Sequence, residues 1–382
     1  MDYSEFILAV NAGSIFILLI FALQLLVATK FRGENAYAAA IIVFTTIPTY
    51  LFNICRSEQW FSAAVWLAPL GCSTNTLLMP LLWLFVRRNF SSDFKVKPIS
   101  LLHFLPTVFM IGMYVVYYLE SSYSDVVAGL IYQNAGHDDM ISIVNSIIVF
   151  IQMFVYFAII FVYLHRVEKY ITNNYSQAEW AYKVWIPKFI KLFAILFAVV
   201  FVVYIIRPRT DDWLIQIINV IAMSYLVHKS LVSAPFYIAP ANRMTPDRIR
   251  FSKSDYVTAA SNDKSEESRL LGYAEGIKKY LADSQAYLNP NLTLQDVSQA
   301  TGISGNNISK AINTVLNNNF FELVNNMRID KAKRMLINYK QNNLTIDAIA
   351  EQCGFNSRFT FNTAFKKSER VTPAQWAKNP HK

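Results

Sequence analysis

The chain has 382 residues and a formal net charge of +9, with 54% hydrophobic and only 16% charged residues. That length accommodates two domains, and the charged fraction falls well below the roughly 25% of a soluble domain, which argues against a wholly water-soluble chain. The shortage is uneven: residues 1–240 are almost continuously apolar, whereas 241–382 have an ordinary soluble composition.

Seven stretches in the apolar part are long enough for a bilayer, which takes about 20 residues each. They are expected near 6–29, 36–54, 62–86, 99–119, 141–164, 189–206 and 212–231. The first lacks a basic start and is followed by further spans, so it reads as a retained helix and not a cleaved signal. Segments 30–35, 87–98 and 165–188 carry Lys30, Arg32, Arg87, Arg88, Lys95, Lys97, Arg166, Lys169, Lys183 and Lys188. The alternate segments hold only Arg56, Arg207 and Arg209. Short loops rich in Lys and Arg stay in the cytoplasm. The N-terminus is therefore expected outside, and an odd number of spans places the C-terminal part in the cytoplasm.

No Asp or Glu lies well inside a span, which weighs against an ion-coupled pump. Lys229, near the end of the last span, is poorly placed for a Schiff base. Polar residues do enter the apolar layer: Gly71-Cys72-Ser73-Thr74-Asn75-Thr76 ahead of Pro80, and His103, Asn145, Gln152, Gln216 and Asn219. Two readings stay open for the run in the third span. It makes helix–helix hydrogen bonds, or Ser73, Thr74 and Asn75 line a ligand pocket opened by kinks at Pro48, Pro69, Pro80 and Pro106. The outer segment 120–140 holds Glu120, Asp125, His137, Asp138 and Asp139, which read as solvated acids more than as a metal site. Cys55, Cys72 and Cys353 form no disulfide framework.

After residue 234 the apolar runs stop. A polar tether with Pro235, Pro240, Pro246 and SNDKSEES is expected, then a helix from about Glu266 to Ser284. Residues 241–299 are neutral, but 300–382 hold twelve basic residues against five acidic ones, a net +7. The basic set includes Lys310, Arg328, Arg358, Lys366 and Lys367. A basic domain of this kind meets a polyanion, either nucleic acid or anionic lipid.

Two similar segments favour nucleic acid. LTLQDVSQATGISGNNISKAI runs from Leu292 to Ile312, and LTIDAIAEQCGFNSRFTFNTAF from Leu344 to Phe365. Each opens on a threonine suited to an N-cap, and Thr293 with Asp296 makes a capping-box pattern. Leu294 and Val297, or Ile346 and Ile349, give the inner face. Nine residues after the threonine stands Gly302 or Gly354, followed by Ile303 or Phe355 and a second amphipathic helix. Glycine adopts the positive φ a sharp turn needs, and the apolar residue after it fills the corner. Ser298 and Ala350 are small enough for close helix packing. Two helix-turn-helix units joined by one amphipathic helix are expected.

The second unit, with Ile349-Ala350, Gly354-Phe355-Asn356-Ser357, Phe361, Phe365-Lys366-Lys367 and Thr372-Pro373, resembles the AraC/XylS family of bacterial transcription regulators. NFFELVNNMRIDKAKRML resembles that family's linker helix. Arg370 stands where the family usually has glycine, Trp376 where it often has tyrosine, and Asn317 near another usual glycine. The resemblance covers roughly the final quarter of the chain; membrane-anchored regulators of this type resemble the whole. It implies an all-α protein in a bacterial inner membrane: a seven-span sensor domain (1–234), a linker (235–270) and a DNA-binding domain (271–382) with helix-turn-helix units at 293–316 and 345–367. It also implies contacts with double-stranded DNA, the lipid bilayer and RNA polymerase, a homodimer, a sensed ligand of unstated identity, and no cofactor or metal.

Ile308, Ala311 and Ile312 are expected to face inward in the first recognition helix, and Phe361 and Phe365 in the second. Asn306, Ser309 and Lys310, and in the second unit Arg358, Asn362 and Thr363, face outward at positions where the family places base contacts. Arginine pairs with guanine and asparagine with adenine. Asn313, Lys366 and Lys367 suit phosphates. Phe359 reads either as a contact to a thymine methyl or as half-buried in the domain. No phosphate loop, metal cluster or Ser-His-Asp set points to an enzyme. The rival reading is a transport or channel protein whose tail docks on a partner or on anionic lipid. Proteolytic release of the tail stays open.

Overall fold

The computed structural model describes residues 3–28, 32–90, 94–134, 140–176, 185–206, 212–232, 264–337 and 344–378. The chain divides into two compact units: residues 1–164 with 182–245, and residues 165–181 with 246–382. Regular structure among the described residues is helical, apart from one isolated bridge between Tyr175 and Thr293. The tether at 235–263 and His137, Asp138 and Asp139 lie outside the described residues.

The first unit contains α1 (Tyr3–Val27), α2 (Arg32–Ile41), α3 (Ile47–Ser57), α4 (Phe61–Ser73), α5 (Leu78–Phe90), α6 (Leu105–Glu120), α7 (Tyr123–Asn134), most of α8 (Met140–Asn174), α9 (Trp185–Ile206) and α10 (Asp212–Val232). Among the described residues, six stretches are long and apolar enough to cross a membrane: Leu8–Val27, Asn35–Arg56, Phe61–Phe90, Pro98–Glu120, Met140–Asn174 and Trp185–Val202. A shorter apolar stretch, Gln216–Val232, follows. Phe16, Leu23, Trp66, Val108, Leu119 and Ile147 are exposed, an apolar surface that suits hydrocarbon better than water.

Two prolines shape this unit. A π-helical turn, Ile42–Thr46, joins α2 to α3, and a 3-10 turn, Thr74–Leu77, joins α4 to α5. Each precedes a proline, Pro48 or Pro80, whose ring displaces the carbonyl four residues earlier and whose missing N–H breaks the ladder. Threonine hydroxyls bond to carbonyls within these turns: Thr46 Oγ1 donates to Ile42 O at 2.7 Å and Thr76 Oγ1 to Ser73 O at 2.6 Å. Between elements, Thr49 Oγ1 lies 2.9 Å from Gly71 O and 3.1 Å from Asn75 Oδ1, and Asn145 Nδ2 donates to Cys72 O at 2.9 Å. Thr76 meets Thr107 at 2.6 Å. A Cβ on Gly71 would lie 2.3 Å from Phe52 Cβ, so glycine lets α3 and α4 approach closely.

Two segments differ from their sequence reading as connections. Residues 123–134 form α7, which buries Val126 and Leu130. Residues 165–174, read as part of a basic loop, continue α8 to a length of 35 residues. Both carry enough apolar residues at helical spacing, Val126 with Leu130 and Val167 with Ile171, to bury one face despite their charge.

The second unit adds α11 (Lys264–Asp283), α12 (Leu294–Thr301), α13 (Gly305–Val315), α14 (Phe320–Ile337), α15 (Ile346–Gln352), α16 (Arg358–Glu369) and α17 (Pro373–Lys378) to the end of α8. It has two cores. One gathers Ile277 and Leu281 of α11, Leu294 and Val297 of α12, Ile308 and Ile312 of α13, and Phe320 and Val324 of α14. The other gathers Ile329, Ala332 and Leu336 of α14 with Ile349, Phe355, Phe361, Phe365 and Trp376. The single helix α14 thus contributes its first half to one core and its second half to the other.

Candidate nucleic-acid interface

Each unit of the pair is built by caps and a turn. Thr293 caps α12 and forms a reciprocal box with Asp296: the Asp296 N–H donates to Thr293 Oγ1 at 3.2 Å and the Thr293 N–H to Asp296 Oδ2 at 2.8 Å. Gly302 ends α12 at φ 70°. Ser298 Oγ crosses the corner to Ile303 O at 2.7 Å, and Ser304 caps α13. In the second unit Thr345 caps α15, Gly354 turns at φ 83°, and Ser357 caps α16. The helix pairs α12–α13 and α15–α16 are therefore two helix-turn-helix units on one shared helix.

The second helix of each pair buries one side and presents the other. Ile308, Ala311 and Ile312 are fully buried, as are Phe361 and Phe365. On α13, Asn306 and Asn313 are exposed, while Ser309 and Lys310 are half-buried. On α16, Arg358, Thr363, Lys366 and Lys367 are exposed and Asn362 is half-buried. Asn313 Nδ2 donates to Ser309 Oγ at 3.3 Å. Phe359 is 67% exposed, which removes the half-buried reading.

Three of the candidate cations are held by carboxylates that the sequence reading did not single out. Lys310 Nζ lies 2.6 Å from Glu266, Arg358 Nη1 3.2 Å from Asp347, and Lys367 Nζ 2.7 Å from Glu322. Burial alone would raise the Glu322 carboxyl, but the Lys367 hydrogen bond, the Asn319 backbone N–H and the Lys367 charge together bring it below its ordinary value. Glu322 was legible as a cap, because it stands three residues after Asn319 at the start of α14, and the two bond reciprocally.

Arg328 departs most from the sequence reading. Counted there among the basic residues facing a polyanion, it is 0% exposed. It sits on α14 between the two cores. Its Nε donates to Tyr287 O at 2.6 Å and its Nη2 to Asn289 O at 2.8 Å, and its guanidinium lies 5.6 Å from the Phe355 ring. Burial lowers its pKa to about 10, so it stays protonated at neutral pH. It ties the turn before α12 to the corner of the second unit and presents no charge to solvent.

Two helix-turn-helix units with capped, outward-facing second helices define a DNA-binding domain. Residues 297–379 match the family model described as a helix-turn-helix domain, of the AraC type. No curated protein and no solved structure matches the chain. The C-terminal domain is thus an AraC-type helix-turn-helix domain, which supports a transcriptional regulator, and it follows a half rich in apolar helices that could span a membrane.

Proposed function

We propose that the protein is a membrane-held one-component transcription regulator and not an enzyme. Its apolar half holds it in a bacterial inner membrane with the N-terminus outside, and its cytoplasmic tail binds a promoter. The observation that carries this reading is the pairing of two glycine-turned units on one helix in a basic segment. On such a scaffold the two recognition helices enter successive major grooves on one face of the duplex, about 34 Å apart. Asn306, Ser309 and Lys310, with Arg358, Asn362 and Thr363, read base edges; Asn313, Lys366 and Lys367 grip phosphates. On binding, Lys310, Arg358 and Lys367 exchange Glu266, Asp347 and Glu322 for DNA. Homodimer formation and contact with RNA polymerase belong to the same reading.

Sensing is assigned to the apolar half. The supporting feature is the pair of irregular turns, Ile42–Thr46 and Thr74–Leu77, bridged by Thr49 and Asn75. Irregular helical turns inside long helices accompany functional sites, and Ser73, Thr74 and Asn75 lie at this break.

The test uses the full-length protein in lipid nanodiscs, with a duplex taken from the genomic segments it occupies in cells and a scrambled duplex as reference. Arg358→Ala is expected to cost about 1–3 kcal/mol at one guanine position. Lys366→Ala should weaken both duplexes alike and reduce the salt dependence by about one ion. Loss of affinity for both duplexes on Arg358→Ala would overturn the assignment of base reading. So would binding to anionic vesicles with none to either duplex.

A further inference from the structure

Helix α8 has 35 residues, whereas the hydrocarbon layer takes about 20. Its C-terminal end carries the surplus: Arg166, Glu168, Lys169, Thr172, Asn173 and Asn174 all follow Leu164. The part of α8 after Leu164 groups with the DNA-binding helices and not with the apolar unit. Within that second unit the chain continues from α8 into a specific seat. Tyr175 forms an antiparallel bridge with Thr293, the N-cap of α12. The Ser176 N–H donates to Leu292 O at 3.1 Å. Arg328 Nη1 donates to Ser176 O at 3.1 Å, Arg328 Nη2 to Ser176 Oγ at 3.2 Å, and Asn325 Nδ2 to Ser176 O at 3.4 Å. Both Ser176 and Arg328 are 0% exposed.

The chemistry of this seat argues for a built contact. Arg328 is charged and buried, and the acceptors around it are neutral: the carbonyls of Tyr287, Asn289 and Ser176, the Ser176 hydroxyl and the Asn325 amide oxygen. A buried charge with unmet donors is costly, and Ser176 supplies two of those acceptors. The seat also touches the parts that fix both reading helices: the start of α12, the turn ahead of it, and the point on α14 where the two cores meet.

We propose that Tyr175–Ser176 is an intramolecular ligand of the DNA-binding domain, seated against Leu292, Thr293 and Arg328, and that it couples the end of α8 to the DNA-binding arrangement of the two helix-turn-helix units. Movement of α8 is then transmitted by seating or withdrawing two residues. The seated state is the one that binds DNA, because it satisfies the arginine that joins the two units. The coupling rests on the membrane and DNA-binding readings above; the seating does not.

Two measurements on the full-length protein in nanodiscs test this. Bridged residues in an antiparallel pair are close enough for a disulfide. Tyr175→Cys with Thr293→Cys is therefore expected to cross-link under mild oxidation, and the control pair Tyr175→Cys with Thr363→Cys is not. Equal cross-linking of both pairs, or none at Thr293, overturns the seating, whether or not the protein binds DNA. Ser176→Pro removes the N–H that meets Leu292 O and is expected to weaken operator binding about tenfold. Ser176→Ala, which removes only the hydroxyl acceptor, should give a smaller loss. Unchanged operator affinity in Ser176→Pro, with the cross-link intact, overturns the coupling.

Discussion

Gly302 and Gly354 occupy matching turns, at φ 70° and 83°, yet face different surroundings. A Cβ on Gly302 would meet nothing within 4 Å, whereas one on Gly354 would lie 2.5 Å from Leu288 O. Gly302→Ala should therefore cost only the backbone strain of a left-handed residue, about 1–2 kcal/mol. Gly354→Ala should add a backbone clash and lower the stability of the domain severalfold more. Denaturant unfolding of both variants checks this, and equal losses would contradict the close approach at Leu288. Asn317 and Arg370 show that glycine is not obligatory at such turns: they stand at φ 49° and 64°. The spacing and residue types made both glycines legible as turns in the sequence. What could not be read was the neighbour of Gly354, which tertiary packing brings from the turn ahead of α12. The same holds for Arg328, whose acceptor Ser176 lies 152 residues away in the chain. Nothing local distinguishes an arginine buried by such a partner from one on a solvated helix face.

At the scale of elements, α14 is shared by the two helix-turn-helix cores, and its first turn is closed by Asn319 and Glu322. The Glu322 carboxylate is doubly employed, accepting from the Asn319 N–H at 3.3 Å and from Lys367 Nζ at 2.7 Å. Its pKa is lowered in the folded state, so the unfolded chain binds its proton more readily. The resulting stabilisation is complete above the ordinary glutamate range and fades as pH falls through the lowered folded-state value. Denaturation midpoints measured between neutral and acidic pH should drop more for the wild-type chain than for Glu322→Gln, which cannot titrate there. A pH response identical in the two would exclude Glu322 as a contributor. The helices of the tail were readable because period, caps and turn glycines agree with one another. Helix α7 and the last turns of α8 were not, because their charge reads as a connection and their apolar stripe is short.

At the scale of the molecule, orientation depends on how many apolar segments cross. Among the described residues six are long enough by length and composition, and six crossings would return both termini to one side. The apolar stretch of α10, Gln216–Val232, is shorter than these six, but the whole helix has 21 residues. At 1.5 Å per residue that is about 31 Å, the thickness of the hydrocarbon layer. A seventh crossing by α10 is therefore physically available, and it is the crossing that would put the DNA-binding domain on the side of the basic loops. Reporter fusions after Asn89 and Asn174 are expected to read as cytoplasmic, and one after Gly129 as exterior. A fusion at Lys382 should then read as cytoplasmic, on the same side as the first two. An exterior signal at Lys382 alone would mean that α10 lies within or along the layer without crossing it. The reverse pattern at every site would invert the whole topology. Either result would separate the tail from DNA and sink the regulator reading.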